Sequence, residues 1–459
     1  MPSPVSESAS RLRATAARFV KERRLAGAAV GVVHGDELVW SAGVGHADRA
    51  AGRPASPAML CRVASITKTF TATAVVQLRD EGKLQLDDPA VVHLPELAAA
   101  RAPFGPIEGV TIRRMLSHES GLASEPPGTD WTDYAYEASA AQSLARAGEI
   151  GMRIPPNRQW KYSNLAFQLL GEIVARVSGR PYEEYVRAEI LEPLGMAATT
   201  FEPLPSELSE RAATPYDPRF LSDELAPSPP FPSIGAEGGL WSCVDDLARW
   251  TSFQLREDGG PRAGRQVVSG SSLVEMHTAR YLTDAEWTEA WAIGWYAVRR
   301  GDVIWVQHSG SLPGFSSNVC FDGKNRVGAV ALLNCNEDAA ALSMDLASIA
   351  REAVVAAGPQ IELPPAMPEA YAQLVGLYLQ RQQGAVVSVE WRDGKLTMLS
   401  NRDDDWAPTL VPSDEADAFV VEPGFRESGE IVRFRRNAAG RVVSLFTGDE
   451  TVLRLEPVE

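Results

Sequence analysis

The spacing of apolar residues changes along this chain, from a helical period at the start to short β-rich runs that are typical of strands. The apolar face of an amphipathic first helix is formed by Leu12, Ala16, Phe19 and Val20. Residues 28–45 contain two β-rich runs around Gly35 and Asp36, which predicts a hairpin. Four further β-rich runs lie between residues 292 and 334, and a helical pattern follows at residues 337–357.

A long, mostly helical insertion, about residues 65–290, separates these two groups of strands. Its clearest helices are predicted at residues 163–178, at 181–190 and from Cys243 to about Leu255, the last with Ser242 as its N-cap. Strands on both sides of such an insertion can share one antiparallel sheet, with the helices packed beside it. We therefore expect an α+β fold: an antiparallel sheet flanked by helices, with a helical subdomain.

Beyond residue 357 the pattern changes again. A Pro-rich linker is predicted at residues 358–368, and residues 369–459 alternate short β-rich runs with turns such as Asp393-Gly394. This alternation predicts an all-β, barrel-like C-terminal domain. The chain is thus divided into a first domain at residues 1–357, a linker and a small β domain.

Composition argues against several classes of function. Acidic residues outnumber basic ones by 60 to 44, and a net charge of -16 repels phosphate backbones, so no nucleic-acid partner is expected. No run reaches membrane-spanning length and the N-terminal segment lacks an apolar signal-peptide core, which favours a cytoplasmic protein without a membrane partner. The four widely spaced cysteines are interpreted as buried free thiols, and no metal-ligand or nucleotide motif is present, so no cofactor is expected.

Ser65 and Lys68 are the first candidate catalytic residues. They are three positions apart at the start of a predicted helix, so their side chains share one face, and Phe70, Ala74 and Leu78 form its buried stripe. A serine hydroxyl needs a base to become a nucleophile, and a lysine can be that base when burial lowers its pKa. The alternative is an ordinary helix with a chance serine and lysine, although this pair is the only S-x-x-K in the chain.

Tyr162 and Asn164 form the second candidate pair. A tyrosinate, or a tyrosine that shares its proton with Lys68, can accept the serine proton and later donate it to a leaving group. The amide of Asn164 could hold a substrate carbonyl and order Lys68. The simpler alternative is that Ser163 and Asn164 cap the helix that follows, and both roles can hold together.

His308, Gly310 and Ser311 lie at the end of a predicted strand. The histidine can supply a positive or hydrogen-bonding group, and Gly310 leaves room for a substrate to approach the strand backbone. The backbone amide of Ser311 could join that of Ser65 in an oxyanion hole. The alternative is a tight turn that leads into Pro313-Gly314.

The order S-x-x-K, Y-x-N and H-x-G resembles the class C β-lactamases and the penicillin-recognising serine hydrolases, a group that includes D-amino-acid peptidases and carboxylesterases. Three further stretches are similar to sequences of that family: LSHESGL at 116–122, EPLGM at 192–196, and Gly238-Gly239-Leu240 ahead of Asp245-Asp246-Leu247. The resemblance covers about residues 10–357, and the C-terminal domain is similar to the lipocalin-like domains that some of these hydrolases carry.

The resemblance implies a serine hydrolase or acyltransferase in which Ser65 forms an acyl-enzyme with a small-molecule ester or peptide amide. Lys68 and Tyr162 would share the acid and base work. His308 stands where the β-lactamases carry lysine, which favours a carboxylesterase or a D-stereospecific peptidase or amidase. The alternatives are a β-lactamase, a thioesterase-like peptide cyclase in which an amine resolves the acyl-enzyme, and a non-catalytic β-lactam or peptide sensor. A homodimer is left open.

Two other features have weaker interpretations. His118 is interpreted as a structural loop residue, because the chain has no G-x-S-x-G motif of the Ser-His-Asp hydrolases and the family match places it in a loop. The aromatic residues Trp131, Tyr134 and Tyr136 could line an apolar pocket or pack against neighbouring helices.

Overall fold

The computed structural model of the protein describes residues 3–130, 139–216, 226, 234–256, 267–358, 365–381, 384–401, 407–422, 428–447 and 450–455. They belong to two compact units, Met1–Ala357 and Gly358–Glu459. Trp131, Tyr134 and Tyr136 lie outside the described residues, as do residues 359–364 of the predicted linker.

The first unit is built around an antiparallel sheet to which both of its ends contribute. The strands of this unit are β1 (Gly27–His34), β2 (Glu37–Asp48), β3 (Arg53–Pro54), β4 (Cys61–Arg62), β5 (Thr200–Phe201), β6 (Leu240–Ser242), β7 (Tyr281–Leu282), β8 (Glu289–Trp291), β9 (Tyr296–Arg300), β10 (Val303–Leu312), β11 (Phe315–Asp322) and β12 (Val327–Leu333). Within the described residues the main sheet has the order β3-β2-β1-β12-β11-β10-β9-β8-β7, and β4, β6 and β5 form a small second sheet. β1 pairs with β12 from Ala28 opposite Leu333 to His34 opposite Val327, which confirms the predicted α+β fold.

Helices cover both faces of this sheet and fill the insertion. The α-helices are α1 (Ala9–Glu22), α2 (Thr67–Asp80), α3 (Ala90–His93), α4 (Ile112–Leu116), α5 (Ala140–Ala145), α6 (Asn164–Ser178), α7 (Tyr182–Val186), α8 (Glu192–Leu194), α9 (Ser206–Ser209), α10 (Gly235–Gly238), α11 (Val244–Gln254), α12 (Gly270–His277) and α13 (Ala339–Ala357). Short 3-10 helices occupy Pro4–Ser8, Ala64–Ile66, Pro95–Ala99, Ile107–Gly109 and Ala147–Glu149. Along β1, Val30 and Val32 join the core under α1 and α13, whereas Ala29 and Val33 join the core with α2 and α6. The alternation explains why this strand is apolar throughout: both of its faces are buried.

The strand predicted at residues 292–298 begins only at Tyr296. Gly294 lies in a turn with a φ of +71°, where its N–H donates to the carbonyl of Leu116 at 3.1 Å. A left-handed residue interrupts the extended backbone that a strand requires, and glycine adopts this conformation without steric cost. The apolar run therefore continues through a turn, which periodicity alone does not reveal.

Two helix predictions need correction. Ser242 belongs to β6 and its hydroxyl is hydrogen-bonded to that of Thr199 at 2.8 Å, so Cys243 is the N-cap residue of α11. The helix predicted at 181–190 is α7 followed by a π-helix at Arg187–Leu191. For Ser242, a contact with a distant residue overrides the local signal.

The second unit is a closed barrel of eight antiparallel strands in its described part. A 3-10 helix at Glu369–Tyr371 precedes the strands β13 (Gly376–Gln380), β14 (Ala385–Arg392), β15 (Lys395–Ser400), β16 (Thr409–Pro412), β17 (Ala418–Val421), β18 (Ile431–Arg436), β19 (Val442–Thr447) and β20 (Glu450–Arg454). β13 closes the barrel against β20, and side chains such as Tyr378, Phe419 and Phe434 fill the interior.

The barrel-like domain is confirmed, although the sequence pattern did not single out β13 or the four-residue β16, which are too short and too mixed in polarity for a clear alternation.

Two features bear on the expectations from composition. None of the helices in the described ranges combines the length and apolar character that crossing a bilayer requires. All four cysteines are buried free thiols, as predicted. Burial raises the pKa of Cys320 and of Cys335 to about 12, so these thiols stay protonated and unreactive at neutral pH.

Helix α2, which begins just after Ser65, is held in the core by α11. Trp250 of α11 is fully buried, and its ring stacks on that of Phe70 with centroids 3.9 Å apart and an angle of 15° between the planes. Its indole N–H donates to the hydroxyl of Thr69 at 3.1 Å. Such a stacked and hydrogen-bonded pair fixes the position of α2 relative to the sheet.

Trp250→Ala is expected to lower the free energy of unfolding by about 3–5 kcal/mol, because it removes a large buried ring and leaves a cavity beside α2. Guanidinium unfolding followed by far-UV circular dichroism measures the change. Val92→Ala, at a side chain that is 64% exposed, is the surface control and should change stability by less than about 0.5 kcal/mol. A loss below about 1 kcal/mol for Trp250→Ala would contradict the role given to this ring.

Candidate active site

Ser65 lies at a sharp turn where the chain passes from β4 into α2. It is the middle residue of the 3-10 helix Ala64–Ile66, and α2 follows at once. Ala64 has a φ of +49°, a left-handed conformation that costs about 1–2 kcal/mol for a residue with a Cβ atom. The N–H of Val63 donates to the carbonyl of Leu240 at 2.9 Å, so the strained turn is anchored to β6.

Lys68 is fully buried beside the serine. Its Nζ atom donates to Ser65 Oγ at 3.0 Å and to the backbone carbonyl of Glu237 at 2.6 Å. Burial lowers the pKa of Lys68 to about 7, and the negative charges of Glu237 and Glu125 only partly oppose this effect. The amine is therefore neutral in a large fraction of molecules at neutral pH and can accept a proton.

The carbonyl of Glu237 is positioned by close packing between α10 and two other helices. The Thr71 hydroxyl of α2 donates to the carbonyl of Ala236 at 2.5 Å. On the opposite side a Cβ atom at Gly171 of α6 would lie only 2.4 Å from the Cβ of Ala236. Only a residue without a side chain at position 171 allows α10 to come this close to α6.

Tyr162 contacts the serine from another direction. Its side chain is hydrogen-bonded to that of Ser65, and the centre of its ring lies 5.0 Å from Lys68 Nζ. Burial raises the pKa of Tyr162 above its usual range, so the hydroxyl keeps its proton at neutral pH. The next residue, Ser163, caps α6 by accepting from the N–H of Ala166, so the predicted cap is confirmed beside the contact of Tyr162 with Ser65.

Asn164, the first residue of α6, reaches the site through a carboxylate. Its Nδ2 atom donates to Glu125 Oε1 at 2.8 Å, and the charge of Glu125 acts on both Lys68 and Tyr162. Asn164 therefore influences Lys68 only through the charge of Glu125. The ordering of Lys68 by Asn164 and the contact of its amide with a substrate carbonyl stay predictions.

His308 is 2% exposed and lies on β10. Its Nδ1 atom is 2.7 Å from the carbonyl oxygen of Ser309, and because a carbonyl only accepts, the ring proton is on Nδ1. Burial and the neighbouring Lys68 lower the pKa of His308 to about 3. The imidazole is therefore neutral at neutral pH, and of the two roles open to it the hydrogen-bonding one is favoured.

Gly310 lets β10 approach the nucleophile. A Cβ atom there would lie 2.0 Å from the carbonyl oxygen of Val63 and 3.0 Å from the backbone nitrogen of Ser65. The glycine is thus required by the contact between β10 and the turn itself, in addition to the predicted room for substrate. The next residue, Ser311, is exposed on the pocket side and its hydroxyl accepts from Asn336 Nδ2 at 3.2 Å. Its role as an oxyanion donor stays a prediction.

His118 is buried directly against Tyr162, with ring centroids 4.3 Å apart. Its Nδ1 atom accepts the backbone N–H of Ser163 at 3.1 Å, which ties the loop to the start of α6. The backbone of His118 has a φ of +60°. These contacts agree with the structural role expected from the sequence, and they show that this role includes support of Tyr162.

The motif residues open onto a pocket of about 580 Å³. It is lined by Ser65, Tyr162, His308, Gly310 and Ser311, and also by Trp160, Thr283, Glu289, Trp291, Tyr296, Ser309, Ser316, Ser317 and residues 336–340. Sequence reasoning did not identify the second group. Alternation along β8 places Glu289 and Trp291 on one face, but nothing in the sequence indicates that this face meets Ser65.

Among curated proteins, the chain is 29% identical over 328 residues to Protein flp of Staphylococcus aureus (strain N315), which corresponds to 70% of this chain and 61% of flp. It is 35% identical over 279 residues to Esterase EstB of Burkholderia gladioli, which corresponds to 52% of this chain and 68% of EstB. The chain therefore spans less than two thirds of the length of flp.

Solved structures extend the comparison. The octameric penicillin-binding protein homologue from Pyrococcus abyssi matches with a TM-score of 0.64 and 24% identity over 97% of this chain and 99% of its own. The class C beta lactamase from Rhodobacter sphaeroides matches with a TM-score of 0.60 and 21% identity over 75% of this chain and 98% of its own. SurE with D-Leu matches with a TM-score of 0.59 and 23% identity over 98% of this chain and 100% of its own. At these identities the likeness concerns the fold. The Beta-lactamase family itself matches residues 12–353, and with the fold and the residues around Ser65 this match shows that the chain belongs to the beta-lactamase family.

Proposed function

We propose that this protein is a serine hydrolase or acyltransferase that forms an acyl-enzyme on Ser65 from an ester or a D-configured peptide amide. The observation that carries this proposal is the buried contact of 3.0 Å between Lys68 Nζ and Ser65 Oγ. A lysine whose pKa is about 7 is close to the ideal for a base that works at neutral pH.

In the proposed acylation, neutral Lys68 accepts the hydroxyl proton while Ser65 Oγ attacks the carbonyl carbon of the substrate. The carbonyl oxygen becomes negative as the new bond forms, and the backbone N–H groups of Ser65 and Ser311 are the proposed donors to it. The Tyr162 hydroxyl donates its proton to the leaving group and recovers one from Lys68. The leaving group thus departs with the Tyr162 proton, the serine proton replaces it through Lys68, and both Lys68 and Tyr162 return to their starting protonation states.

Deacylation reverses these roles. A water molecule or an amine attacks the acyl carbon, and Tyr162 and Lys68 accept its proton and return one to Ser65 Oγ. Water yields a free acid, whereas an amine yields a new amide and, within one peptide, a cyclic product. Exclusion of water from the pocket would favour the amine.

Several observations support an ester or peptide amide over the alternatives. His308 is neutral where the resemblance puts a lysine in the β-lactamases, so the pocket lacks that positive charge. EstB is named an esterase, and SurE was solved with a D-amino acid. The contact of both Lys68 and Tyr162 with the serine favours catalysis over a sensor role, in which these contacts would be dispensable.

A fluorophosphonate probe is expected to label the protein at Ser65 with a mass increase of one adduct, because the activated hydroxyl attacks phosphorus as it would a carbonyl. Ser65→Ala should abolish labelling. The matched control is Ser206→Ala, at an exposed serine of α9, which should label normally. Labelling that persists in Ser65→Ala, measured by intact mass spectrometry, would refute the assignment of the nucleophile.

The rate constant kcat/KM for a neutral p-nitrophenyl ester should rise about tenfold per pH unit below about pH 7 and then level off, because protonated Lys68 cannot accept the serine proton. The measurement is a pH-rate profile of the intact enzyme with Lys68→Arg as the comparison. The arginine keeps its proton, so that variant should be inactive across the range. A flat profile from about pH 5.5 to about pH 8.5 would contradict the role of Lys68 as the base.

Tyr162→Phe should lower kcat by about 10²–10⁴-fold, because the variant keeps the ring against His118 but loses the proton-relay hydroxyl. Melting temperature and ester kinetics together separate this effect from misfolding. Tyr281→Phe removes a hydroxyl that donates to the carbonyl of Arg158; neither residue lines the pocket, so this variant should leave kcat unchanged. Retained activity in Tyr162→Phe would show that Lys68 relays the proton alone.

A further inference from the structure

Trp291 of β8 is the centre of an aromatic wall of the pocket. Its ring is 5.6 Å from that of Trp160, with an angle of 17° between the planes, and 5.1 Å from that of Tyr296. Tyr162 packs against it at 5.8 Å. Trp291 is only 6% exposed, whereas Trp160, which stacks on it, is 37% exposed and can be reached by a ligand. The face of such a ring carries partial negative charge, so it attracts cations as well as apolar groups.

Glu289 lies two residues before Trp291 on the same strand, and therefore on the same face of β8. It lines the pocket and is exposed, and its carboxylate forms no hydrogen bond or ion pair with any described residue. Its charge acts on Tyr296 across the pocket wall. A negative group thus stands beside the aromatic faces without a cation of its own.

The charged side chains that line the pocket in the described part of the chain are all acidic. The lining includes the carboxylates of Glu289, Glu337 and Asp338, and in the described part of the chain it includes no lysine or arginine. Glu337 is paired with Arg23 at 3.0 Å, and Asp338 accepts from the N–H of Ala341 at the start of α13. These two charges are already engaged, which leaves Glu289 as the carboxylate available to a ligand.

A second and independent feature also requires a donor from the ligand. His308 is 2% exposed and lines the pocket, and its Nε2 atom has no hydrogen-bond partner among the described residues. Since the ring proton is on Nδ1, Nε2 is an acceptor. A buried acceptor without a donor is unfavourable, so a ligand that brings N–H groups is stabilised there.

We propose that the pocket binds a protonated amine of the substrate against Glu289 and the exposed ring of Trp160, with His308 Nε2 accepting a further N–H, so that the preferred substrates are cationic esters or amides. This inference rests on the proposed function of Ser65, since it names the substrate class of the same pocket. It also implies that a carboxylate near the reacting carbonyl is disfavoured, because the same charges repel it.

Three probes of similar shape test the proposal without any need for turnover: benzylammonium, benzyl alcohol and phenylacetate. Titration calorimetry of the full chain at neutral pH should give a Kd for benzylammonium about tenfold below that for benzyl alcohol. A tenfold ratio is what the added contributions of one ion pair with a carboxylate and one cation–π contact are expected to produce. Phenylacetate should bind most weakly. About 0.5 M salt should reduce the preference, since part of it is screened.

Variants assign the preference to a residue. Glu289→Gln should bring benzylammonium to within about twofold of benzyl alcohol, and Glu289→Lys should reverse the order so that phenylacetate binds better than benzylammonium. The matched control is Glu286→Gln, an exposed carboxylate three residues earlier that does not line the pocket, and it should keep the wild-type preference. Equal binding of the amine and the alcohol by the wild type, or an unchanged preference in Glu289→Gln, would overturn the proposal.

Ester kinetics keep this result separate from the proposed function. If p-nitrophenyl esters are hydrolysed through Ser65 but benzylammonium neither binds preferentially nor inhibits, the amine site is wrong and the acyl-enzyme mechanism stands. If benzylammonium binds in the predicted order but Ser65 is neither labelled nor active, the mechanism is wrong and the amine site stands.

Discussion

Lys68 is buried beside Ser65, and the rest of the site is arranged around that contact. A charged ammonium group in this position would have lost its water, so burial favours the neutral amine. The carbonyl of Glu237 supplies the remaining hydrogen bond, and Phe167 and Tyr162 pack around the Nζ atom at 5.6 and 5.0 Å. The same desolvation keeps the proton on Tyr162. The protonation states of Lys68 and Tyr162 are thus set by one physical cause, the exclusion of water.

The main sheet places His308 and Gly310 of β10 near Ser65 and Lys68. β10 enters from the far end of the first unit, yet it approaches the turn at Ser65 so closely that only glycine fits at position 310. The hydroxyl of Ser317 on β11 donates to the carbonyl of Val63 at 2.8 Å and adds a second tie between sheet and turn. Two neighbouring strands of the main sheet, β10 and β11, thus hold the turn that carries Ser65.

Much of this arrangement could be predicted from the sequence, because it depends on short spacings or long apolar runs. The contact of Ser65 with Lys68 follows from a spacing of three positions across the 3-10 turn and the start of α2, and the shared sheet follows from strands on both sides of the insertion. The carbonyl of Glu237 lies 169 positions beyond Lys68, and its place depends on how α10 packs against α2 and α6. The place of Glu289 in the pocket depends in the same way on long-range packing, which decides which face of β8 lines the pocket. Such long-range packing leaves no mark in local periodicity.

The buried lysine also has a thermodynamic consequence for the folding stability of the chain. A pKa of about 7 in place of 10.5 means that folding works against the lysine by ~5 kcal/mol at and below neutral pH, and that this cost fades as the pH rises towards 10.5. An apolar residue of similar size at position 68 would remove both the cost and the base. If Lys68 is the base, the same substitution removes the proposed catalysis and raises folding stability, so activity and stability are opposed at this position.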